Sequence, residues 1–98
     1  MNPTPSQAYI AALRNSSITE KDGLGVMIFL AEHCDVDGML PRRKYTARMI
    51  SRNTGIEPSR LVLRRIRRLV ELGVLSSIKV KSQTYFHLAD ASKLPVPF

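Results

Sequence analysis

Residues 59–73 read SRLVLRRIRRLVELG, and this stretch decides the fold of the chain. On an α-helix, where successive residues are about 100° apart, five of its apolar side chains fall within an arc of about 120°. We therefore predict an amphipathic helix over 59–72, closed by Gly73, with one face in the core and the other cationic. The predicted core side chains are Val62, Leu63, Ile66, Leu69 and Val70, and the opposite arginines are Arg60, Arg64, Arg67 and Arg68, with Arg65 at the edge.

Two helices are predicted in the N-terminal part. Thr4 and Pro5 suit the N-cap and first position of a short helix that ends before 15–17. Thr19 and Asp22 have the spacing of a capping box and lead into a second helix. Two glycines near its start indicate close backbone packing or a later helix start. The glycines are Gly23 and Gly25, and the apolar positions of this helix are Leu24, Met27, Ile28 and Ala31.

The middle of the chain predicts a turn, a short strand and a third helix. Residues 35–38 read DVDG, a turn, and 39–41 form an edge strand because Pro41 lacks a backbone donor. Thr46 suits the N-cap of a helix over 46–54, with Gly55 as a left-handed C-cap. A tight connection then leads into the 59–72 helix.

The C-terminal part predicts a hairpin and a tail. Residues 78–81 and 84–88 alternate as two antiparallel strands, with a break at Ser82-Gln83. The last ten residues contain two prolines, so we expect an extended tail. This tail either folds back on the body or contacts a partner, and its apolar residues are Leu94, Val96 and Phe98.

Charge is segregated along the chain. The formal net charge is +7, but the segment 42–81 holds twelve Lys or Arg and two Glu, a net charge of +10. The remainder holds three cations and six acids, a net charge of −3. Ten of the fifteen cations are arginine, whose planar guanidinium suits bidentate contacts to phosphate and guanine. This distribution favours a surface that binds nucleic acid.

Motifs within 46–88 resemble those of prokaryotic winged helix-turn-helix regulators. They are Thr54-Gly55-Ile56, then Leu61, Ile66 and Leu69, then Glu71-Leu72-Gly73-Val74-Leu75. The spacing from Gly55 through Gly73 to Tyr85-Phe86-His87-Leu88-Ala89 is most similar to the iron-sulfur cluster and cysteine-metabolism regulators. The resemblance covers about half of the chain, and its motifs are packing motifs that imply a fold and no particular operator.

The resemblance implies a single winged helix-turn-helix domain over 1–98. It would be mainly α, with three to four helices and a small β hairpin in a two- to three-stranded wing. Residues 1–17 would form an N-terminal helix and candidate dimerisation arm, 18–90 the core and 91–98 an extended tail.

Three departures separate the chain from that most similar family. Ser82-Gln83-Thr84 stands where the family has a glycine pair, no long C-terminal dimerisation helix fits, and the cluster-binding cysteines are absent. We therefore expect no cluster and no other cofactor. A phage or plasmid regulator, or the DNA-binding domain of a replication initiator, resembles the chain equally well.

The implied function is sequence-specific binding of double-stranded DNA by a small transcriptional regulator, active as a homodimer. The 59–72 helix would enter the major groove, the 46–54 helix would cross the backbone, and the 78–88 wing would lie alongside. The candidate DNA-binding residues are Arg42, Arg43, Lys44, Arg48, Arg52, Ser59, Arg60, Arg64, Arg67, Arg68, Lys79, Lys81, Ser82 and Gln83.

Two other functions stay open. The basic surface is also compatible with a winged-helix interaction module that docks on an acidic protein, such as a mobile-element inhibitor or an assembly factor. Binding of structured RNA is less favoured, because the cationic helix face offers no aromatic platform for splayed bases.

No motif predicts an enzyme, a metal site or a membrane segment. His33 and Cys34 are adjacent, so on a helix their side chains diverge by about 100°, and a helix-end histidine and a small buried cysteine are expected instead. One cysteine and two histidines do not make a structural zinc site. Without an apolar run of about 18 residues or a signal-peptide pattern, we expect a cytoplasmic protein.

Overall fold

The winged-helix layout is present in the computed structural model, which describes residues 5–96. Within these residues, four helices and a three-stranded antiparallel sheet follow one another in the predicted order. The elements are α1 (Pro5–Arg14), α2 (Leu24–His33), β1 (Met39–Pro41), α3 (Ala47–Thr54), α4 (Ser59–Glu71), β2 (Leu75–Val80), β3 (Gln83–Leu88) and a 3-10 turn over Ala91–Lys93. The predicted N-cap Thr4 lies outside the described residues.

Strand β3 is the centre of the sheet, with β1 and β2 on its two sides. In β1, Pro41 pairs with Tyr85 at the sheet edge, as predicted for a residue without a backbone donor. The hairpin turn lies one residue earlier than predicted, because Val80 pairs with Gln83 and the turn residues are Lys81 and Ser82. The φ of Lys81 is 57°, and positive φ at the first turn residue is the pattern of a type II′ turn.

Helix α2 begins later than the capping-box spacing suggests. Thr19 and Asp22 do form reciprocal hydrogen bonds, but these close a turn ahead of the helix. Gly23 then adopts φ 109°, and the helix starts at Leu24. A Cβ at Gly23 would stand 3.0 Å from the Leu69 side chain, so this glycine allows α4 to approach closely.

Helix α4 is rotated relative to the predicted core arc. Val62, Ile66 and Leu69 are buried as expected, whereas Leu63 and Val70 are each 45% exposed, so their assignment to the core is wrong. Instead, the side of α4 that carries Arg65 is turned toward the start of α2. The backbone carbonyl oxygen of Arg65 would stand 3.2 Å from a Cβ at Gly23. Close contact with the glycine draws that side of α4 inward, and the opposite edge of the apolar arc reaches solvent.

Helix α3 has both predicted caps. The Thr46 hydroxyl accepts a hydrogen bond from the backbone N–H of Met49 at 3.2 Å, and Gly55 ends the helix with φ 76°. The Ser51 hydroxyl donates to the carbonyl oxygen of Ile56 at 2.6 Å. This bond fixes the connection from α3 to α4, so the two helices have a defined relative position.

One apolar core joins the helices to the sheet. Leu30 and Val26 from α2 are fully buried, as are Ile50 from α3 and Leu40 from β1. Phe86 from β3 is also buried. Within residues 5–96, no helix is long and apolar enough to cross a membrane.

The C-terminal segment is folded back on the body. Residues 91–93 form a 3-10 turn, so the expectation of an extended tail is wrong there, and Leu94 is 6% exposed. The backbone N–H of Ser17 donates to the carbonyl oxygen of Pro95 at 3.0 Å. The 3-10 turn contacts α1, and Leu94, which directly follows the turn, belongs to the buried core. Phe98 lies outside the described residues.

Tyr9 joins α1 to the end of the sheet. Its hydroxyl donates a hydrogen bond of 2.6 Å to the carbonyl oxygen of Ala89. Burial, reinforced by the nearby charges of Cys34 and Asp90, raises the pKa of Tyr9 to about 12. Since the neutral phenol is favoured in the folded chain, this contribution to stability is complete below pH about 10 and is lost progressively as the pH rises to about 12.

The anchoring of the tail predicts opposite outcomes for two apolar residues two positions apart. Leu94→Ala should lower the free energy of unfolding by about 2 kcal/mol, because it removes buried methyl groups. Val96→Ala, at a side chain that is 74% exposed, should change it by less than about 0.5 kcal/mol. Urea unfolding followed by circular dichroism measures both. Equal effects of the two substitutions would contradict the folded-back tail.

Candidate nucleic-acid interface

The two helices of the helix-turn-helix form a shallow groove at the start of α4. Its volume is about 630 Å³, and α3 supplies two exposed arginines to it. Its lining residues are Arg48, Ser51, Arg52, Glu57, Pro58 and Ser59. Pro58, the N-cap of α4, makes no side-chain capping bond, so the first turn of α4 offers backbone donors beside these arginines. The positive end of a helix with adjacent guanidinium groups is an arrangement that binds anions.

Three arginines project from the exposed side of α4. Arg60, Arg64 and Arg67, here called the α4 arginine surface, are exposed and form no ion pair with any residue in 5–96. Ser59 is exposed at the N-terminal end of the same helix. Val62 and Leu69, on the opposite side, are fully buried. The core therefore holds α4 so that these cations face solvent.

The fourth arginine predicted to contact DNA is engaged within the chain. Arg68 Nε donates to Asp22 Oδ1 at 3.0 Å, and Arg68 Nη1 donates to Glu71 Oε2 at 3.4 Å. The hydrogen bond from Arg68, with further bonds from Thr19, holds the pKa of Asp22 below its usual value. A phosphate contact by Arg68 stays a prediction, and it would compete with these two carboxylates.

Arg65 is the second arginine of α4 with an acidic partner. Its Nη1 lies 3.6 Å from Glu20 Oε1, and its side chain is 18% exposed. Glu20 and Asp22 are some 45 residues away in the chain, so the local pattern around the arginines gives no sign of them. The capping-box spacing around Asp22 predicted a local role for this residue and gave no sign of its contact with α4.

The wing presents its lysines to solvent. Lys79 and Lys81 are exposed, as is Ser82 in the turn. Gln83 is also exposed, but its Oε1 accepts a hydrogen bond from the Tyr85 hydroxyl at 2.7 Å. Gln83 is therefore partly committed to the strand, and Lys79, Lys81 and Ser82 are the more available groups of the wing.

The three basic residues before α3, Arg42, Arg43 and Lys44, lie in two different environments. Arg42 lies over the Phe86 ring, with 5.0 Å from its Cζ to the ring centroid, and its Nη1 donates to Ser77 Oγ at 3.4 Å. Arg42 is thus held against the sheet. Arg43 and Lys44 are exposed and form no ion pair with a described residue.

Two functional candidates were missed by sequence reasoning. Leu63 and Val70 were assigned to the core, but they are exposed on the same helix as the α4 arginine surface. Both residues stand at one end of the apolar positions of α4, and the rotation of the helix brings that end into solvent.

His33 and Cys34 lie at the C-terminal end of α2, and Cys34 is half-buried where a buried cysteine was expected. His33 Nδ1 lies 2.9 Å from the carbonyl oxygen of Phe29, and its ring packs on the Phe29 and Tyr45 rings. Cys34 is the C-cap of α2, and burial raises the pKa of its thiol. Cys34 also lines a cavity of about 710 Å³ between α1 and the 35–38 turn, to which none of the predicted DNA-binding residues contributes.

Comparisons of the chain with protein-family models, curated proteins and solved structures find no match. The geometry of the residues therefore carries the functional argument.

The turn geometry predicts opposite stability effects at the two lysines of the wing. Lys81→Gly should raise the free energy of unfolding by about 0.5–1 kcal/mol, because glycine adopts positive φ without the Cβ penalty. Lys79→Gly, within β2, should lower it by about 1 kcal/mol, because glycine weakens a strand interior. Urea midpoints measure both variants. A loss of stability in Lys81→Gly equal to that in Lys79→Gly would refute the two-residue turn.

Proposed function

We propose that this protein binds double-stranded DNA with sequence specificity and acts as a small transcriptional regulator in the cytoplasm. In this proposal α4 enters the major groove, α3 crosses the sugar-phosphate backbone, and the hairpin of β2 and β3 contacts the backbone beside it. This is the function implied by the resemblance to winged helix-turn-helix regulators.

The observation that carries the proposal is the α4 arginine surface. Arginine side chains that share one exposed helix side and lack acidic partners repel one another, and a phosphate backbone relieves this repulsion. A face adapted only for solubility would mix charges of both signs. The structure does supply carboxylates to Arg65 and Arg68, so the absence of such partners for Arg60, Arg64 and Arg67 within residues 5–96 distinguishes the surface.

The groove at the start of α4 supports the same function. Arg48 and Arg52 stand on α3, one helical turn apart, beside the uncapped N-terminus of α4. We assign these two arginines, together with Arg43 and Lys44, to phosphate contacts that position α4. Ser59, Arg60 and Arg64 occupy the N-terminal half of α4, where recognition helices contact base edges.

The remaining cations have secondary roles in the proposal. Arg67 contacts phosphate, and the wing grips the backbone or minor groove through Lys79, Lys81 and Ser82. Arg42 supports the wing from its position on Phe86. Arg68 contributes only where DNA phosphates displace Asp22 and Glu71.

A homodimer on paired half-sites completes the proposal. Of the surfaces expected to form it, Leu94 is buried against its own chain, whereas Val96 is exposed. The exposed side of α1 and the region around Val96 are thus the surfaces still available. A two-fold symmetric consensus among bound DNA sequences would support this arrangement.

Binding to duplex DNA and its salt dependence test the proposal. The purified chain should bind random duplex DNA in a fluorescence-anisotropy titration, and a log–log plot of affinity against salt should have a slope of about −3 to −6. This slope reflects counterions released when several arginines neutralise phosphates. No binding to duplex DNA at low salt would overturn the proposal and favour an acidic protein as the partner.

Two substitutions that each remove one positive charge separate base contacts from general electrostatics. Arg64→Ala should weaken binding to a selected duplex by about 1–3 kcal/mol and reduce the ratio of specific to nonspecific affinity. Lys21→Ala removes the same charge from the exposed turn before α2, outside the basic segment and the candidate dimer surfaces, and should leave that ratio unchanged. An unchanged ratio in Arg64→Ala would restrict Arg64 to phosphate contact.

A further inference from the structure

The exposed side of α4 has a narrow chemical composition. Apart from arginines, its exposed residues are Ser59, Leu63, Val70 and Glu71. The helix contains no asparagine and no glutamine, the side chains that read adenine through paired hydrogen bonds. Glu71, which could accept from cytosine, lies at the C-terminal end and already accepts from Arg68.

This composition limits what α4 can read in a major groove. Arginine forms bidentate hydrogen bonds with guanine, and an apolar side chain contacts the C5-methyl group of thymine. Serine discriminates poorly between bases. An A·T base pair can therefore be recognised strongly by α4 only through the thymine methyl group, and Leu63 and Val70 are the exposed apolar candidates.

The position of Leu63 favours it over Val70. Leu63 lies on the second turn of α4, and residues three and four positions away on a helix are surface neighbours, so it adjoins Arg60 and Arg67. Val70 has the same 45% exposure and lies seven residues later, about 10 Å further along the helix axis. In a helix-turn-helix the N-terminal residues of the second helix reach the bases, so α4 carries Val70 away from them.

We propose that Leu63 is a specificity-determining residue that contacts the methyl group of a thymine in the bound sequence. The inference rests on the proposed DNA-binding function and deepens it. Leu63 loses water-exposed apolar surface when it packs on the methyl group, while Arg60 and Arg67 hold the adjacent backbone or a neighbouring guanine. The preferred site therefore combines guanine with at least one thymine whose methyl group faces α4.

Replacement of thymine by deoxyuridine tests the contact, because it removes one methyl group and preserves base pairing. Duplexes bound by the wild-type chain are first selected from a random pool. Each thymine of the consensus is then replaced singly, and affinities are measured by fluorescence anisotropy. At one position per half-site the wild-type chain should lose affinity about threefold to fivefold, the effect of one buried methyl group.

Three variants assign that loss to Leu63. Leu63→Ala should bind the thymine and deoxyuridine duplexes with equal affinity, whereas Leu63→Met, which retains apolar bulk, should preserve a preference for thymine. Val70→Ala removes an equally exposed apolar side chain from the same helix and should keep the full wild-type preference. Because both positions are exposed, circular dichroism should show all three variants folded.

The outcomes distinguish the inference from the function on which it rests. A consensus without thymine, wild-type affinity insensitive to every replacement, or a methyl preference retained in Leu63→Ala would overturn the role of Leu63 while DNA binding stands. A preference lost in Val70→Ala instead would move the contact to Val70 and also overturn it. A wild-type chain that binds no duplex would refute the proposed function itself, and the inference with it.

Discussion

The close contact between Gly23 and α4 is the constraint on which the surface of this protein depends. Gly23 has no side chain and adopts a left-handed conformation, so Leu69 and the backbone of Arg65 come within reach of the start of α2. Packing of that side of α4 decides the rotation of the helix about its own axis. The side chains are distributed around the whole circumference of α4. A small rotation of the helix therefore buries some residues and exposes others.

The same turn controls the electrostatics of α4. Residues 19–23 bring Glu20 and Asp22 against Arg65 and Arg68, and the two ion pairs lie on the flank that packs toward α2. Arg60, Arg64 and Arg67 on the far flank form no ion pair with a carboxylate of the described residues, and their side chains remain exposed. Acidic side chains neutralise the arginines on one side of α4, while those on the other side keep their charge. The positive surface of α4 is therefore formed by fewer arginines than the sequence contains.

Much of the architecture was predictable because it rests on local chemistry. The Thr46 cap, the left-handed Gly55 and the position of Pro41 in an edge strand follow from the properties of those residues and their immediate neighbours. The hairpin was predicted from alternation, but its turn was placed one residue too late. A lysine with positive φ is uncommon, and nothing in the pattern around Lys81 marked it as the turn residue.

The sequence predicted the residue types of the candidate site, but only partly which of these side chains are exposed and unpaired. Arg60, Arg64 and Arg67 are exposed as predicted, whereas Arg68 is paired and Leu63 is exposed although its periodicity assigned it to the core. Each discrepancy involves residues distant in sequence. The spacing of apolar residues describes one helix in isolation and does not show which element packs against that helix.

The amino-acid sequence by itself determined the order of the helices, the caps of α3, the presence of the hairpin and the segregation of charge, because caps, glycines and periodic apolar residues act over a few positions. Only the tertiary structure decided the rotation of α4, the pairing of Arg65 and Arg68, and the burial of Leu94 in the tail. Those outcomes depend on contacts between segments far apart in the chain, and such contacts are set when the whole core closes around the side chains that fit it.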